Sequence, residues 1–136
     1  MGLRHRSREA ALKILYQADL RGETDYSELL DDYWSENENE NVDRHFAESI
    51  IRGVAENISK IDETIKTVSE NWDVERLGFI ERALLRMAIY ELLFTPDTPD
   101  NVAIDEAIEL AKAYCDKKSA GFVNGILDRA MKAKAS

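Results

Sequence analysis

Apolar residues recur at intervals of three and four along almost the whole chain, so the pattern predicts helices and no strands. A first helix is expected from about residue 3 to 20, with Ala11, Ile14, Leu15 and Ala18 as its stripe and Gly22 as its stop. A second, from Tyr26 to about Trp34, would bury Tyr26, Leu29, Leu30, Tyr33 and Trp34. Ser35 to Asn41 reads as an acidic, Asn-rich connector and a mobile loop. A third helix is expected from near Val42, with Val42, Phe46, Ile50 and Val54 on one side. The fourth carries Ile58, Ile61, Ile65 and Val68, with Ser59 as the expected cap and Trp72 closing the stripe. The fifth is expected from near Asp73 to Phe94 and is apolar on most of its circumference, which marks an interior helix. Thr95-Pro96-Asp97-Thr98-Pro99 forbids continuation. A sixth helix capped by Asp100 or Asn101 would bury Ile104, Ala107, Ile108, Ala111 and Tyr114. A seventh capped by Ser119 would bury Val123, Ile126, Leu127 and Ala130. The expected fold is therefore an all-α bundle of seven helices: the first packed with the next two, and the other four forming a second subbundle around the fifth.

At 136 residues, without a linker or an internal repeat, residues 1–136 are expected to form one domain with its own core. No apolar run approaches the roughly 18 residues that a membrane span requires. The basic N-terminus has no apolar segment behind it, so neither membrane insertion nor export is expected. The single Cys115 excludes an internal disulfide and suits a reducing, cytoplasmic setting.

Charge changes the picture. The net charge is −9, yet residues 1–22 carry five basic residues against two acidic ones, a net of +3. Residues 23–43 carry nine acidic residues and no basic one. One end of the chain suits phosphate, and the segment after it repels phosphate.

Catalysis finds little material. The two histidines, His5 and His45, are far apart, and no phosphate loop, nucleophile elbow or Cys/His cluster is present. No enzyme, cofactor or metal is expected, and His45 with Glu48 reads as a surface pair. Cys115 lies near Lys117 and Lys118, which would lower its pKa, although a packed thiol is the plainer reading. The run Arg4-His5-Arg6-Ser7-Arg8, with Lys13 beyond it, is a better lead. Guanidinium groups suit phosphate oxygens and guanine edges, against the alternative of a solvated helix end. Lys112, Lys117 and Lys118 form a second basic set at a helix N-terminus. Phe122 is either a core ring or a stacking platform for an unpaired base; Asn124 is either a base-edge contact or an exposed helix residue. Gly125 sits inside a helix, where Gly costs about 1 kcal/mol relative to Ala, and so calls for close packing or a close partner.

Three segments carry a resemblance. Val102-Ala103-Ile104-Asp105-Glu106-Ala107-Ile108-Glu109-Leu110-Ala111-Lys112, followed by Phe122-Val123-Asn124-Gly125-Ile126-Leu127-Asp128, resembles the C-terminal signature of the NusB family, bacterial RNA-binding antitermination factors. Arg8-Glu9-Ala10-Ala11-Leu12-Lys13-Ile14-Leu15-Tyr16-Gln17 resembles that family's first helix. Arg82-Ala83-Leu84-Leu85-Arg86-Met87-Ala88-Ile89-Tyr90-Glu91-Leu92-Leu93 resembles its central one.

The resemblance implies recognition of boxA, a short single-stranded element of nascent ribosomal RNA, together with the ribosomal protein NusE. The assembly would load onto RNA polymerase as an antitermination complex. It further implies RNA contact by Arg4, His5, Arg6, Arg8, Lys13, Lys117, Lys118, Phe122 and Asn124, and NusE contact by Tyr16, Glu75, Glu81 and Arg82, with Arg86 either structural or on that face. Two rival readings stand beside this one. One is the RNA-targeting domain of a ribosomal RNA cytosine methyltransferase, for which a chain ending at Ser136 has no room for a cofactor domain. The other is an interaction protein that hides its RNA surface by self-association as a homodimer.

Overall fold

A computed structural model describes residues 2–22, 25–69 and 77–135. Within them lie seven helices: α1 (Leu3–Arg21), α2 (Ser27–Glu36), α3 (Arg44–Glu56), α4 (Ile58–Val68), α5 (Phe79–Phe94), α6 (Asp100–Tyr114) and α7 (Lys117–Ala135). No strand occurs among the described residues.

The interior role of α5 follows from its composition. Ala83, Leu84, Leu85, Met87, Ala88, Ile89 and Leu92 are all buried, and the helix packs against α1, α3, α4, α6 and α7. Close approach to α3 depends on Gly53: a methyl group there would overlap the Tyr90 ring of α5. The α1 stop is the expected one, since Gly22 adopts φ 68 and its N–H returns to the carbonyls of Ala18 and Asp19.

Several boundaries differ from the sequence expectation, mostly through capping. α3 starts at Arg44 rather than near Val42, because the Asp43 carboxylate accepts from the Phe46 N–H at 3.0 Å and fixes the first turn. α4 follows Asn57 directly, so Ser59 lies inside the helix and does not cap it. Leu77 and Gly78 are not helical and α5 begins at Phe79; the expected start near Asp73, and Trp72, lie outside the described residues. Pro99 precedes α6, so Asp100 opens that helix as its first residue, and neither Asp100 nor Asn101 caps it. At α7 the Asp116 carboxylate accepts from the Ser119 N–H at 2.7 Å, which makes Asp116 the cap and Ser119 the capped residue. Tyr114, expected inside, is 38% exposed.

Candidate nucleic-acid interface

α1 presents its N-terminal residues in three directions. Arg4 is exposed and lays its guanidinium over the Phe46 ring of α3, 4.0 Å from the centroid. Arg6 is half-buried, and its Nε donates to the Asn41 carbonyl at 2.9 Å. His5 turns toward α6, with Nδ1 2.5 Å from Glu106 Oε2.

Arg8 departs from the expectation of a phosphate donor. It is 4% exposed, and its Nε reaches both Glu91 oxygens at 3.0 Å. Burial pushes the Glu91 carboxyl above its ordinary range while the Arg8 charge pulls it down. A guanidinium committed to a buried carboxylate is not on offer to a phosphate. Ser7 is also buried: its hydroxyl donates to the Leu3 carbonyl and accepts from the Asp43 N–H at 2.8 Å, tying α1 to the start of α3.

Lys13 is half-buried and shares an open polar recess with Ser35, Glu36, Asn37, Glu38, Asn39 and Glu40. The connector therefore lies against α1. Beside it, the Tyr114 hydroxyl at the end of α6 donates to Glu9 Oε2 at 2.9 Å. That bond joins the exposed ridge of α1 to the α6–α7 turn.

Beyond the turn, Lys117 and Lys118 are exposed in the first turn of α7. One N–H of that helix end is already taken by Asp116, whose carboxyl is held below the usual range by its bonds to Ser119. Asn124 is exposed and lines an open groove with Ile108, Lys112, Cys115, Lys117, Ala120 and Gly121. Phe122 is half-buried and packs against the edge of the core. Around Gly125 a methyl would meet only Arg129 Nη1, at 3.9 Å, so close helix packing does not account for this glycine. Burial, then Glu81 and Asp116, push the Cys115 thiol up to about 11, which fits the packed thiol and not the alternative of a value lowered by the neighbouring lysines.

A second cluster forms where α1 meets the start of α5. Tyr16 and Phe79 meet edge to face at 6.4 Å, and Arg82 lies 4.7 Å over the Phe79 ring. Arg82 Nε donates to Asp19 Oδ2 at 2.6 Å. Glu81, half-buried in the first turn of α5, folds back against Gly78. Arg86 makes a two-armed contact to Asp62 at 2.9 Å and sits 3.8 Å from Asp19, which gives it a structural role. Glu75 lies outside the described residues.

Phe79 and Asp19 were not among the sequence candidates. Placing the helix start near Asp73 made Phe79 one apolar residue within a long helix rather than the exposed ring of a first turn. Among the described residues no group of carboxylates, histidines and cysteines could hold a metal ion, and no helix is long and apolar enough to cross a membrane.

Residues 5–132 match the NusB family. The transcription antitermination protein NusB of Syntrophotalea carbinolica is 43% identical over 94% of this chain and 91% of that protein. The structure of T. maritima NusB has 43% identity and a TM-score of 0.82, covering 95% of this chain and 90% of the other. NusB in a crystal structure of antitermination factors NusB and NusE in complex with dsRNA has 31% identity and a TM-score of 0.85, covering 96% and 97%. The chain belongs to the NusB family.

Proposed function

We propose that this protein binds the boxA element of nascent ribosomal RNA together with NusE, and acts within an antitermination complex on RNA polymerase in the cytoplasm. The observation that carries the reading is the Tyr114–Glu9 bond, which sets the Lys117–Lys118 turn against the side of α1 that carries Arg6 and Lys13. Two basic segments distant in sequence thus border one edge. Long-range attraction to phosphate comes from this charge, and selectivity comes from the groove beside Asn124 and the half-buried ring of Phe122. The Tyr16–Phe79–Arg82 cluster, with Glu81 beside it, is the proposed NusE contact. An aromatic pair with an arginine suits the centre of a protein interface. The related structure of NusB with NusE and dsRNA supports both partnerships.

Titration of single-stranded boxA RNA, with and without NusE, tests this reading. Affinity is expected to rise when NusE is added, because a basic partner offsets the −9 charge of the chain. Equal dissociation constants with and without NusE would remove the joint-recognition claim. Replacing Arg4 and Arg6 by Ala is expected to flatten the log–log salt dependence by about 0.7 per lost phosphate contact. An unchanged slope would place the RNA elsewhere.

A further inference from the structure

The connector between α2 and α3 is the most acidic stretch near the proposed RNA surface, and it does not project away from it. Glu36, Glu38 and Glu40 line the recess that holds Lys13. Its path is set by its own turn and by bonds to Tyr33 and Arg6. The Tyr33 hydroxyl donates to Glu40 Oε2 at 3.1 Å, and the Asn37 side chain donates to the Tyr33 carbonyl at 2.8 Å. The Glu40 N–H returns to the Asn37 carbonyl at 3.0 Å, and Arg6 takes the Asn41 carbonyl. Among the described residues no ion pair joins Lys13 to any of these carboxylates. The connector is therefore placed over the cation by its own turn and latch, not drawn there by a salt bridge that must be broken for it to leave.

We propose that the end of α2 and the connector after it, residues 36–40, form a built-in phosphate surrogate, three carboxylates held over the basic ridge of α1 at Lys13 that RNA must displace before its backbone reaches that ridge. The inference rests on the RNA-binding reading above. Three negative charges against one lysine make the recess net repulsive toward an incoming phosphate. Arg6 adds to the effect, since its Nε is engaged by the backbone of the same connector. Arg4, which lies over Phe46 on the far side of the helix, stays outside its reach. In this arrangement the connector sets a threshold: RNA alone meets a guarded ridge, and a ligand with further contacts elsewhere displaces the guard.

The test compares two variants with the same change in net charge. Glu36→Gln, Glu38→Gln and Glu40→Gln together neutralise the connector while keeping an acceptor for Tyr33. Glu28→Gln, Asp31→Asn and Asp32→Asn together neutralise exposed positions of α2 outside the recess. Binding of fluorescent single-stranded boxA RNA is measured at low and high salt, with circular dichroism to confirm the helices. The connector variant is expected to bind about tenfold tighter than wild type at low salt and the α2 variant at most about threefold tighter, the difference shrinking as salt screens it. Adding Lys13→Gln to the connector variant is expected to remove most of the gain. Equal gains in the two variants, or none in the connector variant, overturn the proposal while leaving RNA binding in place. If neither wild type nor either variant binds RNA, the RNA-binding reading itself falls and the surrogate with it.

Discussion

Arg8 and Glu91 form a buried ion pair across 83 positions of sequence, with the guanidinium Nε 3.0 Å from both carboxylate oxygens. Both side chains are at most 5% exposed. An arginine in the most basic stretch of the chain is thus spent on holding α1 against α5.

Arg8→Ala is expected to destabilise the fold by about 3–5 kcal/mol, because it strands a carboxylate in the core. The cost should depend on pH. Burial already raises the Glu91 carboxyl, and without Arg8 only the weaker pull of Arg4 opposes it. A raised carboxyl favours the fold at low pH and loses that advantage as pH rises through the folded value. Chemical denaturation of Arg8→Ala at pH 5 and pH 8 should therefore show the larger loss at pH 8. An equal, small loss at both would mean that the pair carries no structural load.

A second dependence lies on the alkaline side. Burial and the bond to Glu9 push the Tyr114 hydroxyl up to about 12, and burial with Glu40 raises Tyr33 as well. An unfolded tyrosine ionises near pH 10. The contribution of these hydroxyls is thus fully present below about pH 10 and fades as pH rises through the folded values. Tyr33→Phe with Tyr114→Phe should flatten the fall in thermal midpoint above pH 10. A variant that tracks wild type through that range would show that neither proton matters to stability.

Gly53 sets the spacing of α3 and α5. Gly53→Ala is expected to cost about 1–3 kcal/mol, because the new methyl meets the Tyr90 ring in a close-packed seam. Tyr90→Ala in the same chain should relieve the overlap, so the double variant should be more stable than the two separate losses predict. Strict additivity in the double-mutant cycle would place the strain elsewhere.

The seven helices and the interior position of α5 were legible from periodicity, because a stripe repeating every three to four residues has few ways to be buried. Helix ends were not. Ser59 and Ser119 look like caps in isolation, yet Asn57 and Asp116 precede them and take the boundary. The basic run at the N-terminus was equally visible, but spacing along one helix does not say which side faces another. Arg4 lies in the open, while Arg8, one turn on, meets a carboxylate contributed by α5. Phe79 escaped notice because its exposure follows from α5 beginning directly after Gly78, a start that the apolar pattern does not mark.

Phe122 separates packing from recognition. Its ring is half-buried at the rim of the core, two residues from the exposed Asn124 and one turn past Lys118. Complete truncation confounds the two roles: Phe122→Ala would cost about 3–5 kcal/mol of stability if the ring were fully buried, and about 1–3 kcal/mol of RNA affinity if it stacked on a base. Phe122→Leu divides them, because leucine fills much of a rim site but offers no π face. For a ring that is only half-buried, this variant is expected to keep its thermal midpoint within a few degrees of wild type. Its affinity for single-stranded boxA RNA should nonetheless fall by a factor of about five to one hundred, the loss of one base–aromatic stack. Calorimetry and anisotropy on the same preparation give both numbers. Normal RNA binding by a stable Phe122→Leu protein would make Phe122 a packing residue and end the stacking role.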